Sequence, residues 1–119
     1  MARVLIVEDE GLIALQTEAD LISVGHEVVG IAATGQSAVE IAEREKPEII
    51  LMDIVLQGNM SGIDASRRIC ELLDCKTIYL TAHADEKTIE EAKSTRHVGF
   101  LHKPIEPRQL QMGIEKALQ

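Results

Sequence analysis

Aromatic side chains are almost absent from this sequence of 119 residues, which contains one Phe, one Tyr and no Trp. Hydrophobic residues still make up 45% of it. A core must therefore be built from Ile, Leu, Val and Ala. The length leaves room for one globular unit, so we predict a single domain over residues 1–119.

Basic residues are also in the minority: the sequence has 12 Lys and Arg but 20 Asp and Glu, which gives a formal net charge of −8. A protein that binds DNA or RNA normally presents a basic face to the phosphates. No run of basic residues could form such a face here. We therefore predict no direct contact with nucleic acid.

Cysteines and long apolar runs are scarce. Cys70 and Cys75 are too few for a disulfide scaffold and do not form a C-x-x-C pair, so we interpret them as small buried hydrophobes. The apolar run Val4–Val7 near the amino terminus is too short for a signal peptide, and no run is long enough to span a membrane. We expect a cytoplasmic protein with no membrane partner.

Short apolar runs alternate with stretches of helical periodicity along the whole chain. Runs that are apolar on both faces are typical of strands covered by helices on both sides. The predicted strands are Val4–Val7, Val28–Ile31, Ile49–Met52, Thr77–Leu80 and Val98–Leu101.

Apolar residues three and four positions apart predict a helix after each strand. The first helix closes at Gly25 and the fifth follows Pro107; the others cover about 36–45, ending before Pro47, then about 62–73 and about 86–94. Their predicted inward residues are Leu12, Leu15, Ala19 and Ile22; Val39, Ile41 and Ala42; Ala65, Ile69, Leu72 and Leu73; Ile89 and Ala92; and Leu110, Ile114, Ala117 and Leu118.

Five strand–helix repeats predict an α/β fold with a doubly wound, five-stranded parallel sheet, flavodoxin-like (βα)5, with strand order 2-1-3-4-5. A closed eight-stranded barrel would need about 200 residues or more. In such open sheets, ligands bind beyond the carboxyl ends of the strands. The polar residues that follow the predicted strands are Glu8, Asp9 and Glu10 after the first, Asp53 after the third, Thr81 after the fourth and Lys103 after the fifth.

The first and third strands are neighbours in this order, so Glu8, Asp9 and Asp53 are expected to converge. Two like charges about 4 Å apart repel by roughly 4 kcal/mol at an effective dielectric near 20, so the cluster needs a proton or a cation. Carboxylates without His or Cys suit Mg²⁺ or Mn²⁺. Asp53 could then act as a nucleophile that forms an aspartyl-phosphate, with Thr81 and Lys103 holding phosphoryl oxygens.

Each of these residues also has an ordinary structural interpretation. Acids after a strand often cap the following helix, and a Thr or Asp at a strand end is often a turn residue. A Lys before a Pro is usually solvated. The joint occurrence at four strand ends, on one side of one sheet, favours the chemical interpretation.

These residues resemble the receiver domain of two-component response regulators over essentially the full length. The matching segments are VLIVEDE at 4–10, IILMDI at 49–54, YLTA at 79–82 and FLHKP at 100–104. The resemblance implies a signalling phosphoacceptor that takes a phosphoryl group on Asp53 from a histidine kinase or histidine phosphotransfer protein. It implies assistance in its own phosphorylation and dephosphorylation, and no turnover of an external substrate.

The resemblance also implies roles for particular residues. Asp9 would bind Mg²⁺ directly, Glu8 through water, and Asp53 and the Val55 backbone carbonyl would complete the protein ligands. Thr81 and Lys103 would be the switch hydroxyl and the phosphate-binding lysine.

Phe100 would be the aromatic that rotates with Thr81 when the face formed by helix four, strand five and helix five changes, although ordinary core packing also explains it. That face is the expected place of a homodimer contact.

Three features depart from the family pattern or stay open. Gln57 replaces a common proline, and the loop 57–62 is one residue longer than usual. His83 occupies a position that tunes loss of phosphate in the family, but an inert surface histidine explains it equally well. His26, His97 and His102 share no metal spacing, and we interpret them as structural or solvated. Tyr79 is expected in the core.

Three rival functions remain open at this point. A haloacid-dehalogenase phosphatase needs an acid two residues after its nucleophile, where this chain has Val55. A flavin carrier shares the topology but stacks aromatics, of which this chain has almost none. The main alternative is a receiver-like module that binds a protein without phosphate, although neither an acid nor the lysine is missing.

Overall fold

The computed structural model describes residues 1–56, 58–82, 86–95 and 97–119. Five parallel strands form one sheet in the order β2-β1-β3-β4-β5, which confirms the predicted doubly wound, flavodoxin-like fold. The strands are β1 (Arg3–Val7), β2 (Glu27–Ala32), β3 (Ile49–Asp53), β4 (Lys76–Thr81) and β5 (His97–His102).

A helix follows each strand, close to the predicted bounds. None of the helices described is both long and apolar enough to cross a membrane. The helices are α1 (Gly11–Ser23), α2 (Gly35–Glu45), α3 (Gly62–Leu72), α4 (Glu86–Lys93) and α5 (Pro107–Leu118).

The core consists of two aliphatic clusters, one on each face of the sheet. Leu5, Ile50 and Tyr79 belong to the cluster that includes residues of α2, α3 and α4. Val4 and Ile78 belong to the cluster that includes residues of α1 and α5. The central strands are apolar on both faces because helices cover both sides, and Tyr79 lies in the core as predicted.

The predicted inward face of α1 is wrong. Leu12, Leu15 and Ile22 are 85%, 57% and 58% exposed, and Ala19 is exposed as well. The buried residues of α1 are instead Ala14 and Leu21, which lie on the opposite side. Ile13 and Thr17 are half-buried on that side. Because α1 carries apolar residues on two opposite faces, its periodicity alone could not show which face meets the sheet.

Two further inward assignments are wrong, both at the last residue of a helix. Leu72 is 49% exposed and Leu118 is 43% exposed. The remaining predicted inward residues of α2 to α5 are buried or half-buried. Of the two cysteines, Cys75 is buried and Cys70 is half-buried.

The helix ends explain several of the predicted boundaries. Gly25 has a positive φ of 92° and donates its N–H to the Ile22 carbonyl at 3.0 Å, which confirms it as the turn that closes α1. Before α3, the Ser61 hydroxyl accepts the Asp64 N–H at 3.1 Å and the Asp64 carboxylate accepts the Ser61 N–H at 3.4 Å. This reciprocal capping fixes where α3 begins.

His26 makes the stability of the protein dependent on pH. Its Nδ1 accepts the Ala2 N–H at 3.0 Å, which requires an unprotonated nitrogen. Burial and the nearby amino terminus lower the pKa of His26 below its ordinary 6.5, while Glu115 partly opposes this. The unfolded chain binds this proton more readily than the folded protein does. The stability that neutral His26 contributes is therefore fully present above pH 6.5 and is lost as the pH falls below that value.

We therefore expect the free energy of unfolding, measured by urea titration, to fall between pH 7.5 and pH 5.5. In His26→Gln, an amide oxygen can still accept the Ala2 N–H but does not titrate, so the fall should be smaller. An equal fall in the variant and the natural protein would contradict this role of His26.

Candidate functional site

The residues that follow the strands meet around one cavity at the carboxyl edge of the sheet. The cavity has a volume of about 300 Å³. It lies where β1, β3 and β4 end, the place at which open α/β sheets bind ligands. Its lining residues are Asp9, Glu10, Asp53, Ile54, Val55, Thr81, Ala82 and Lys103.

Three carboxylates converge at this edge, as predicted. Glu8, Asp9 and Asp53 each offer an oxygen within 4.8 Å of the others. Glu8 and Asp53 are only 2% and 6% exposed. Asp53 Oδ1 accepts the Val55 N–H at 3.2 Å, and Glu8 Oε2 accepts the Glu10 N–H at 3.2 Å. Backbone donors therefore orient two of the three acids.

Lys103 supplies the counter-charge. Its Nζ lies 2.7 Å from Glu8 Oε1 and 3.0 Å from Asp53 Oδ2. Burial lowers the pKa of Lys103, but the hydrogen bonds and charges of Glu8 and Asp53 outweigh burial and leave the pKa above its ordinary value. The side chain is therefore a cation throughout the physiological range, and the stability that it contributes is lost only when the pH rises through its own pKa.

The charges do not balance within the cluster. Three carboxylates against one ammonium leave two formal negative charges. The donors are hard oxygen atoms, which Mg²⁺ prefers, and Val55 lines the same cavity. The residues present therefore fit a divalent cation.

Thr81 is brought into the site, whereas Phe100 lies outside the cavity lining. Thr81 is the last residue of β4 and is 4% exposed. Its carbonyl accepts the Lys103 N–H at 2.8 Å, and this hydrogen bond joins the end of β4 to the residue that follows β5. The Phe100 ring stacks on Tyr79, with centroids 5.6 Å apart. Predictions for Gln57 and His83 fall outside the described residues.

Gly62 contributes to the site and was missed by sequence reasoning. A Cβ at this position would lie 2.0 Å from the Asp53 carbonyl oxygen, and the Gly62 N–H donates to the Ile54 carbonyl at 3.0 Å. The first residue of α3 therefore packs directly on the backbone of the nucleophile candidate. The available signal was a glycine at the start of a predicted helix, where a good helix former would otherwise serve better.

Replacing Lys103 by Met is expected to destabilise the protein, because it leaves Glu8 and Asp53 without their shared cation. Removing one partner of a buried ion pair costs about 3 to 5 kcal/mol. The cavity admits solvent, so we expect about 2 kcal/mol in urea unfolding at pH 7.

Millimolar Mg²⁺ should recover part of this loss by supplying positive charge to the same carboxylates. Lys116→Met, which alters an exposed lysine of α5, is the matched control and should be near neutral. A Lys103→Met variant as stable as this control would contradict the ion-pair interpretation.

Comparisons with known proteins are consistent in both sequence and fold. The family model described as "Response regulator receiver domain" matches residues 4–115. The chain is 37% identical over 116 residues to the transcriptional regulatory protein PdtaR of Mycobacterium tuberculosis, covering 98% of this chain and 56% of PdtaR. It is 32% identical over 115 residues to the chemotaxis protein CheY of Thermotoga maritima, covering 96% of this chain and 95% of CheY.

Solved structures give the same result. The signal receiver domain of a modulated diguanylate cyclase from Desulfovibrio desulfuricans G20 superposes with a TM-score of 0.94 at 34% identity, covering 99% of this chain and 94% of the other. The response regulator PhyR from Brucella abortus gives a TM-score of 0.85 at 37% identity, covering 98% and 47%. This chain thus spans only about half the length of PdtaR and PhyR.

Proposed function

The chain belongs to the response regulator receiver domain family, and on that premise we propose that it is a single receiver domain, residues 1–119, that accepts a phosphoryl group on Asp53. The observation that supports this most strongly is the surroundings of Asp53. It is buried at the end of β3 beside two other acids, and Lys103 Nζ lies 3.0 Å from its Oδ2.

Mg²⁺ is the proposed cofactor, as it is for receiver domains generally, and Mn²⁺ has the same donor preference. Asp9 would bind it directly, Glu8 through water, and Asp53 and the Val55 carbonyl would complete the protein ligands. When bound, the cation offsets the negative charge of the phosphoryl group and of the carboxylates.

The transfer step is a displacement at phosphorus. A carboxylate oxygen of Asp53 forms the new P–O bond, while the P–N bond to the donor histidine breaks and its electron pair returns to the imidazole. Lys103, which bonds Asp53 Oδ2 at 3.0 Å, is positioned to pair with a phosphoryl oxygen. The Thr81 hydroxyl is proposed to donate to another, so that preorganised groups stabilise the charge that develops.

Phosphorylation would act on the protein through charge. The phosphoryl group adds about 1.5 to 2 negative charges at pH 7 and can attract new hydrogen-bond donors. Thr81, at the end of β4, is the nearest switch candidate, and Phe100 on β5 is proposed to follow it.

The resulting change would appear on the face formed by α4, β5 and α5, where we also place a homodimer contact. Met112 of α5 is 60% exposed there, beside an apolar groove of about 320 Å³ between β5 and α5.

The uncovered apolar side of α1 supports docking of a phosphodonor protein. Leu12, which is 85% exposed, lines a cavity of about 260 Å³ together with Lys103, Pro104 and Ile105. The exposed apolar side of α1 therefore reaches the segment that carries Lys103. Helix α1 carries no Lys or Arg. A histidine kinase or phosphotransfer helix with apolar and basic residues fits this surface.

The proposed function is tested with acetyl phosphate and Mg²⁺, followed by intact-mass measurement. We expect a gain of one phosphoryl mass that disappears with EDTA. Borohydride reduction and peptide mapping should locate the acyl phosphate at Asp53. Absence of both the adduct and Mg²⁺ binding would instead support the alternative, a receiver-like module that binds its partner without phosphate.

If a phosphodonor protein docks on α1, a substitution on its exposed apolar side should slow phosphotransfer from that protein but not labelling by a small phosphodonor. Leu15→Asp should slow phosphotransfer from a cognate autophosphorylated histidine kinase, identified from a kinase panel by its transfer rate, by about tenfold. Because Leu15 is remote from the chemistry, labelling by acetyl phosphate should be unchanged. Leu72→Asp, at an apolar residue 49% exposed on α3, is the matched control, and equal slowing by both substitutions would contradict the assignment.

A further inference from the structure

Helix α4 has little apolar surface to hold it against the sheet. It is eight residues long and buries one side chain, Ala92. Ile89 is half-buried, and the other residues are mostly exposed and charged. Apolar packing therefore contributes less to the position of α4 than it does to that of α5, which buries Leu110, Ile114 and Ala117.

A chain of hydroxyl groups holds the carboxyl end of α4 instead. The Thr95 hydroxyl donates to the Ala92 carbonyl at 2.6 Å, and the Tyr79 and Thr95 hydroxyls lie 2.6 Å apart. Since the Thr95 proton goes to Ala92, Tyr79 must be the donor to Thr95. Burial raises the pKa of Tyr79, so its phenol remains protonated and able to donate.

A second polar contact reaches the same turn from α3. Arg67 Nη2 donates to the Ser94 hydroxyl at 2.6 Å, and that hydroxyl donates to the Glu91 carbonyl at 2.6 Å. The Glu91 and Ala92 carbonyls of α4 thus accept side-chain hydroxyls in addition to the backbone N–H groups of Ser94 and Thr95. Arg67 and Tyr79 connect these hydroxyls to α3 and β4.

Tyr79 connects the segment that follows α4 to the strand that carries Thr81. It precedes Thr81 by two residues on β4, so both side chains project from the same face of the sheet. It is completely buried, and its ring stacks on Phe100 at 5.6 Å and lies 6.1 Å from His97. Any displacement of α4 must break or carry along the Tyr79–Thr95 contact.

We propose that the Tyr79–Thr95 hydroxyl contact is a latch that holds α4 in its unphosphorylated position and sets how readily the phosphorylated state forms. The proposal rests on the proposed function of Asp53. A phosphoryl acceptor whose competent conformation is a minor state reacts in proportion to the population of that state. Weakening the latch should therefore loosen α4 and favour phosphorylation together.

Tyr79→Phe removes the hydroxyl and keeps the ring that packs on Phe100. Loss of one neutral hydrogen bond is expected to raise amide hydrogen exchange in residues 86–94 roughly fivefold in the unphosphorylated protein. Labelling by acetyl phosphate should become faster by up to a similar factor. Thr95→Val also removes the hydrogen bond to the Ala92 carbonyl, so its effect should be at least as large. The double variant should exceed the larger single effect only slightly, because both substitutions remove the same bond.

Thr17→Val is the matched control. It removes a half-buried hydroxyl of α1 that donates to the Ile13 carbonyl at 2.9 Å, and α1 packs on the opposite face of the sheet from Tyr79. Exchange in residues 86–94 that increases as much in this control as in Tyr79→Phe would indicate general destabilisation and overturn the latch. Unchanged exchange in both Tyr79→Phe and Thr95→Val would also overturn it.

The two readouts separate the latch from the function on which it rests. Faster exchange in α4 without faster labelling, in a protein that is phosphorylated normally, would overturn the regulatory role of the latch alone. If the natural protein takes no phosphoryl group, the proposed function fails and the regulatory role fails with it. The exchange measurement would still show whether the contact holds α4.

Discussion

Asp53→Asn is expected to abolish the phosphoryl adduct completely and, without Mg²⁺, to make the protein more stable. An amide has no anionic oxygen to attack phosphorus, so acetyl phosphate should leave the intact mass unchanged. The gain in stability follows from the charges around Asp53. Its attraction to Lys103 at 3.0 Å is worth about 5 kcal/mol at an effective dielectric near 20, and repulsion from an acid within 4.8 Å is at least about 3.5 kcal/mol.

Two such repulsions, from Glu8 and Asp9, outweigh the single attraction. We therefore expect Asp53→Asn to raise the free energy of unfolding by about 1 kcal/mol in urea titrations with EDTA. The stabilisation that Mg²⁺ gives the natural protein should shrink in the variant, since one ligand is lost. These linked changes distinguish a metal-binding acid from an ordinary turn residue.

Asp20→Asn is the control, because it removes a carboxylate from the surface of α1, where Asp20 bonds only the neighbouring Gln16 among the hydrogen bonds described for its side chain. It should still form the adduct and respond to Mg²⁺ normally. A phosphoryl adduct on Asp53→Asn, mapped to another residue, would show that Asp53 is not the acceptor.

Gly62→Ala is expected to be the most destabilising of the glycine-to-alanine substitutions. The new Cβ would lie 2.0 Å from the Asp53 carbonyl oxygen and 2.9 Å from its carbon. Both atoms are backbone, so no side chain can rotate away, and either α3 or the end of β3 must move. We expect a loss of at least about 3 kcal/mol in urea unfolding, the upper end of the usual range for overpacking.

The same displacement should weaken Mg²⁺ binding in whatever fraction folds, because Asp53 is the last residue of β3 and Val55 follows it by two residues. Gly11→Ala is the matched control: a Cβ there meets nothing within 4 Å, and alanine is the better helix former. It should be neutral or mildly stabilising. If the free energy of unfolding of Gly62→Ala lay within a few tenths of a kcal/mol of that of the natural protein, α3 would be able to shift away from β3 at little cost, which would contradict the prediction.

Much of the fold and of the candidate site follows from the order of residues. Five apolar runs separated by helical stretches allow few arrangements, because parallel strands need crossovers and the crossovers are right-handed. Once the sheet order is fixed, the carboxyl ends of β1, β3 and β4 are neighbours. That is why Glu8, Asp9, Asp53 and Thr81 could be assigned to one edge before any distance was known.

Which side of a helix faces the sheet, unlike the strand order, does not follow from the order of residues. Helix α1 has apolar residues on two opposite sides, and both satisfy the same periodicity. Packing against the sheet buried Ala14 and Leu21 and left Leu12 and Leu15 outside. The prediction took the wrong side because the energy that decides between them is the fit to neighbouring elements, which the helix sequence alone does not contain.

By itself, the sequence determined the five-stranded sheet, its order and the edge at which the acids, Thr81 and Lys103 gather, because these depend on local pattern and chain connectivity. The tertiary structure alone decided that Lys103 bridges Glu8 and Asp53, that Gly62 packs on the Asp53 backbone and that Tyr79 reaches Thr95. Such contacts depend on distances of a few ångströms between segments far apart in the chain. Those distances are set only when all the elements pack together.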